Sequence, residues 1–139
     1  MINFSFQQIE YAEYIEEITT RDWIRNVISS EQKIEGEIHY VFCNDHELLS
    51  MNKSFLDHDT YTDIISFPSS EINNLISGEI YISIDRVVEN AKSLKVSFGK
   101  ELSRVIIHGI LHFMGYDDHS PNEKKQMREK EDYYLNLQP

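Results

Sequence analysis

Two histidines, His108 and His112, stand four residues apart in an apolar run. Gly115 and the polar cluster Asp117-Asp118-His119 follow at once. Side chains at i and i+4 lie one above the other on a helix face, so two imidazoles at this spacing can grip one divalent ion from a single turn. Gly115 can end the helix and turn the chain back, which lets the polar residues beyond it offer a third ligand. The helix expected from Lys100 to Met114 is apolar nearly all round and should be largely buried. Imidazoles buried there cost free energy unless each nitrogen finds a partner, and a metal ion satisfies both rings at once. The plainer alternative is two core histidines bonded to backbone carbonyls. The paired spacing, followed by glycine and Asp-Asp-His, favours the metal. A His-Glu-x-x-His peptidase would carry its general base where this chain has Gly109, so that route to peptide hydrolysis is not expected. Gly109 costs about 1 kcal/mol against alanine in a helix, which suggests that another element or a substrate approaches closely there.

The elements that must position this helix can be read in order. Ile2 to Gln7 alternates as a strand. Thr19 or Thr20 can cap a helix whose apolar face is Trp23, Ile24, Val27 and Ile28, with Lys33 and Gly36 at its exit. Glu37 to Cys43 reads as a second strand. Asn44-Asp45 can cap a helix through Leu48, Leu49, Met51, Asn52 and Phe55. Ile64 to Pro68 and Gly78 to Ser83 read as two more strands. Ser83 can cap a helix over Ile84 to Val96, which Phe98-Gly99 breaks before the histidine helix. Ser120-Pro121 opens a last helix. Four strands and about five helices in mixed order predict one α+β domain over residues 1–139, with two successive helices arguing against a simple doubly wound sheet.

A chain of 139 residues with 40% hydrophobic and 27% charged residues suits one globular domain. No run reaches the length of a membrane span, and the N-terminus lacks the pattern of a secretory signal. The single cysteine, Cys43, cannot form a disulfide within the chain and reads as a buried small hydrophobe, as suits a reducing cytoplasm. The net charge of −11 argues against holding nucleic acid by broad phosphate neutralisation. The charge is uneven: Glu10, Glu13, Glu16 and Glu17 crowd the N-terminal region, whereas Lys92, Lys95, Lys100 and Arg104 could form a local basic strip or simply a solvated helix face.

The pattern His108-Gly-x-Leu-His112-x-x-Gly115-Tyr-Asp resembles the YbeY family of bacterial metal-dependent endoribonucleases. Asn52-Lys-Ser-Phe55 with Asp59-Thr-Tyr-Thr62-Asp63-Ile-Ile-Ser66-Phe67-Pro68 is similar to a second family segment. Gly78-Glu-Ile-Tyr-Ile-Ser83, continued by Arg86-Val-Val-Glu89-Asn90-Ala91, is similar to a third. The similarity spans roughly residues 40 to 135, with the motifs in the family's order. The resemblance implies a compact α+β fold with a four-stranded sheet. It implies one zinc or similar divalent ion held by three protein ligands at the mouth of a cleft. It further implies hydrolysis of single-stranded RNA in ribosomal RNA maturation, notably at the 3′ end of the small-subunit RNA, and in ribosome quality control.

Two positions depart from the family. Its third ligand is a histidine six residues after the second; here that position is Asp118, and His119 comes one later. Either can bind a metal, and the ungapped Gly-Tyr-Asp register favours Asp118. Leu56 stands where many members carry an arginine, so Arg86, Arg104 or Lys53 would have to supply the cation. Thr62, Asp63 and Ser66 match positions beside the family's cleft, and turn or strand-start hydrogen bonding explains them equally well. His46 and His58 read as surface residues and His39 as structural; Arg86 and Glu89 read as helix-face pairs. A metal-dependent RNA hydrolase is the first expectation. The alternatives are a ribosome-associated binding module with a structural metal, and a hydrolase of another small phosphoester or amide.

Overall fold

Alternation of apolar and polar residues builds the sheet, and the same alternation decides which helices cover each face. The structure, a computed structural model, describes residues 1–7, 15–56, 62–70 and 72–139, without the side chains of Phe55 and Leu56. Glu10, Glu13, His58, Asp59 and the Leu56 side chain therefore lie outside the described residues. In chain order the elements are β1 (Ile2–Phe6), α1 (Glu17–Ser30), β2 (Ile34–Cys43), α2 (Asp45–Leu56), β3 (Ile64–Pro68), β4 (Leu75–Ser83), α3 (Ile84–Leu94), α4 (Phe98–Phe113) and α5 (Pro121–Asn136). The strands form one mixed sheet in the order β1-β2-β4-β3. β1, β2 and β4 run parallel, and β3 lies antiparallel to β4 on the edge. The fold is thus the single α+β domain that the mixed element order predicts.

Ile38, Tyr40 and Phe42 of β2 and Ile76, Ile80 and Ile82 of β4 face one side. There they join Trp23, Ile24, Val27 and Ile28 of α1 and Leu102, Val105, Ile106 and Ile110 of α4 in the main core. The opposite face carries a smaller cluster of Cys43, Leu48 and Ile65, covered by α2. Burial and neighbouring acidic charges push the Cys43 thiol up to about 12, so it is an unreactive core residue. Two buried polar handles fix helices to this frame: Trp23 Nε1 donates to the Tyr134 carbonyl at 2.9 Å, and the Tyr40 hydroxyl donates to the Ile106 carbonyl at 3.0 Å.

Several boundaries differ from expectation for local reasons. α1 begins at Glu17, earlier than a threonine cap would set it, because the Glu16 carboxylate accepts from Ile18 N at 3.0 Å. β2 begins at Ile34, and Gly36 lies within it at a register shift between Glu35 and Ile38. Phe98-Gly99 does not break a helix but forms the first turn of α4, capped by Ser97, whose hydroxyl accepts from Lys100 N. α3 ends instead at Lys95, which adopts the left-handed conformation.

Gly109 explains itself here. A Cβ built on it would lie 2.9 Å from Ile64 Cδ1 of β3 and 3.1 Å from two atoms of Ile80 of β4. The glycine lets α4 settle onto the sheet edge that carries the candidate site. Alanine there would press on the end of Ile64 and on both methyls of the buried Ile80, and a branched residue has no room. Gly109→Val is expected to lower stability by about 1–3 kcal/mol through overpacking, and a chemical melt of the two proteins measures it. An unchanged midpoint would contradict the close contact.

Candidate metal centre

His108 and His112 project from the last two turns of α4. Gly115, at φ +101°, then reverses the chain after the helix. The segment beyond it brings Asp118 back over both rings. His108 Nε2 and His112 Nε2 are 3.0 Å apart, and Asp118 Oδ2 lies 3.4 Å from the first and 3.6 Å from the second. For ligands at about 2.0–2.1 Å, a tetrahedral zinc site has ligand–ligand edges of about 3.3 Å. The three donor atoms therefore form a triangle of the size that one face of such a site requires. Among the described residues this is the group of three metal-ligating side chains whose donor atoms all lie within 4.8 Å of one another. His119 is exposed and stands outside it, on the rim of the neighbouring groove.

The other nitrogen of His108 is held from behind. His108 Nδ1 lies 2.6 Å from Glu131 Oε2, and Arg104 Nη1 donates to Glu131 Oε1 at 2.9 Å. Arg104 also donates to Asp132 Oδ1 at 2.8 Å. A carboxylate at Nδ1 fixes the ring and leaves Nε2 with a lone pair toward the triangle. Burial alone would lower the proton affinity of His108, but the hydrogen bond and charge of Glu131 outweigh it and hold the imidazolium above its ordinary value. Burial pushes His112 the other way, and the neighbouring His108 adds to that shift. Glu131 itself is held below the ordinary carboxylate range, because His108 and Arg104 outweigh its burial.

Glu131 was not among the residues singled out by sequence. Its signal was there: Met127, Glu131 and Tyr134 follow the i, i+4, i+7 spacing of the buried face of α5, and an acid on such a face needs a partner.

The segment carrying Asp118 is tied down through Tyr116. The Glu31 carboxylate at the end of α1 accepts from the hydroxyls of Tyr116 and Tyr134 and from Lys130 Nζ at 3.0 Å. Burial would push the Glu31 carboxyl up, yet these three donors hold it below its ordinary value. A carboxyl depressed on folding stabilises the native state above its unfolded pKa and loses that contribution as pH falls through the folded value. Glu31→Gln is therefore expected to cost about 1–3 kcal/mol at neutral pH and to flatten the acid limb of a stability profile below about pH 4. Melts across that range check it; parallel profiles for the two proteins would contradict it.

Two hollows flank the triangle. The inner one, about 280 Å³, is lined by Asp63, Glu101, Arg104, His108, Asp118, Arg128 and Glu131, with Ile64 and Val105. The outer one runs along edge strand β3 past Thr62, Ser66, Pro68, Phe113 and His119. Thr62, Asp63 and Ser66 thus line these hollows. Thr62 Oγ1 also donates to the Ile64 carbonyl, and the Asp63 carboxylate accepts from Asn90 Nδ2 at 3.2 Å.

Of the cations considered in place of an arginine at position 56, Arg86 donates to Asp45 and Arg104 is bound by two carboxylates. Arg86 thus reaches across to α2, and Glu89 pairs with Lys92 along their own helix. Arg128, which sequence alone did not single out, lines the inner hollow. His46 is exposed, and His39 Nε2 bonds the Ser5 hydroxyl at 2.6 Å on the sheet.

A model of the family described as endoribonuclease YbeY matches residues 3–138 of this chain. A Flavobacterium psychrophilum protein named endoribonuclease YbeY is 50% identical over 137 residues, covering 99% of this chain and 96% of that one. A protein of the same name from Bacteroides thetaiotaomicron is 45% identical, covering 84% of each chain. The solution structure of a Thermotoga maritima protein superposes with a TM-score of 0.68 at 28% identity, covering 98% of this chain and 87% of that one. The matches span the sheet, α4 and α5 together, and this chain belongs to the endoribonuclease YbeY family.

Proposed function

We propose that this chain is a metal-dependent endoribonuclease that cuts single-stranded RNA. Its substrate is ribosomal RNA, at the 3′ end of the small-subunit RNA and in ribosome quality control, and its partner is the small ribosomal subunit in the cytoplasm. One zinc ion, or a similar divalent metal, is held by His108, His112 and Asp118. The observation that carries this reading is the triangle of 3.0, 3.4 and 3.6 Å between three donor atoms. Two imidazoles and a carboxylate suit zinc, and three protein ligands with an open fourth position mark a catalytic site. A structural site would be closed by a fourth protein donor, and among the described residues the group has three.

When bound, such an ion supplies Lewis-acid polarisation of a phosphate oxygen and an acidified water ligand. The chain does the rest. Glu131 keeps a proton on His108 Nδ1, so that Nε2 points its lone pair at the ion. Tyr116 and Glu31 hold the segment that delivers Asp118. The inner and outer hollows both border the triangle and share His108 and Asp118, which would give an extended strand a path past the residues that would hold the ion. With a net charge of −11, the protein relies on contacts at the site itself.

The test is cleavage by metal-loaded protein of a small-subunit RNA bearing an immature 3′ end, alongside a matched duplex and a peptide panel. Cuts confined to single-stranded regions, lost on chelation and restored by zinc, are expected. Turnover of peptides but not RNA, or equal cutting of duplex, would overturn the proposal.

A further inference from the structure

Glu101 lies on α4 two turns before His108 and shares its face, with Arg104 and Val105 between them. It is only 5% exposed, and it lines the inner hollow. No hydrogen bond or ion pair reaches its carboxyl among the described residues. The cation best placed along the helix, Arg104, is engaged by Glu131 and Asp132. A buried carboxylate left in this way is costly. Asp63, at the start of β3, faces the same hollow with one amide donor, from Asn90. Burial, and then the charge of Asp63, push the Glu101 carboxyl up, and together they outweigh the opposing charges of Arg104 and Arg128, so the two acids feel each other.

These acids also conflict with the work of the cleft. Four carboxylates, from Asp63, Glu101, Asp118 and Glu131, line a hollow with two guanidinium groups. One divalent ion at the triangle only brings that sum to zero, and RNA would bring further negative charge to the hollow. A cation there removes both the burial cost and the repulsion.

We infer that the inner hollow binds a second, hydrated divalent cation of the magnesium type between the carboxylates of Asp63 and Glu101. Its role rests on the function proposed above; its binding does not. Magnesium is commonly held by one or two carboxylates, keeps several waters and completes its shell with substrate phosphates. Six waters occupy about 180 Å³ of liquid volume, and the hollow holds about 280 Å³. An all-oxygen donor set selects magnesium or manganese, whereas the imidazole-rich triangle selects zinc.

The experiment titrates Mn²⁺, followed by electron paramagnetic resonance, into full-length protein carrying one equivalent of zinc. Zinc outcompetes manganese at the triangle, so the added ion reports on the inner hollow. One further equivalent of Mn²⁺ should bind and be displaced by Mg²⁺. Affinity should fall at least tenfold in Glu101→Gln and in Asp63→Asn, with zinc content unchanged. Using two variants guards against misfolding of either one. No binding beyond the zinc equivalent, or equal binding in both folded variants, would overturn the inference, with Glu101 then holding a proton in place of a cation. Glu101-dependent Mn²⁺ binding by a protein that fails to cut RNA would support the cation site while removing the proposed function.

Discussion

The His108→Ala, His112→Ala double variant is expected to lose the bound ion and, with it, RNA cleavage. Apparent binding free energies of about 10–16 kcal/mol shared over four ligands assign roughly 3 kcal/mol to each. Removing two ligands therefore weakens binding by about 10⁴-fold. The remaining donor, Asp118, has 37% of its side-chain surface exposed and cannot hold an ion alone. His108→Ala leaves the buried Glu131 carboxylate to Arg104, so the metal-free variant should melt somewhat below the metal-free parent. Zinc should then raise the melting temperature of the parent only, since a ligand stabilises the state that binds it. Equilibrium dialysis, melting with and without zinc, and RNA cleavage together check this. Cleavage by the variant equal to that of the parent would assign the activity to a contaminating nuclease.

Glu131→Gln is expected to weaken metal binding by about 10–100-fold, the usual cost of losing the partner that orients a ligating histidine. The substitution keeps the size of the side chain but removes the charge that holds His108 Nδ1 and Arg104. In metal-free protein it has a second signature. His108 titrates above its ordinary value because of Glu131. A histidine raised on folding contributes stability that is fully present below its unfolded pKa, near 6.5, and is lost as pH rises through the higher folded value. Glu131→Gln should remove that contribution, so parent and variant should draw together as pH climbs past neutrality. Imidazole titration by NMR should show His108 moving down in the variant. An unmoved His108, with unchanged zinc affinity, would mean that Glu131 serves only to dock α5 on α4.

Much of this site was legible in the chain because its parts are local. The His108–His112 spacing, the turn at Gly115 and the capping box at Ser120 and Glu123 each need only a few consecutive residues. What sequence could not supply was long-range pairing. Glu131 meets His108 from 23 positions away, and Glu31 reaches Tyr116 across 85. Arg86 could be expected to pair along its own helix, yet Asp45, carried in by α2, claims it. Asp118 and His119 are chain neighbours with similar ligand chemistry, and only the path of the chain after Gly115 separates their positions. Gly109 looked anomalous within a helix until β3 and β4 were beneath it.

The central claim is a metal held by His108, His112 and Asp118 with one position left open. The most direct measurement is a crystal structure of the zinc-loaded protein with an anomalous difference map at the zinc edge. The account predicts one peak bonded to His108 Nε2, His112 Nε2 and an Asp118 oxygen at about 2.0–2.1 Å, with a water as the fourth ligand. A peak bonded to His119 in place of Asp118, a site closed by four protein ligands, or no peak at this triangle would contradict it.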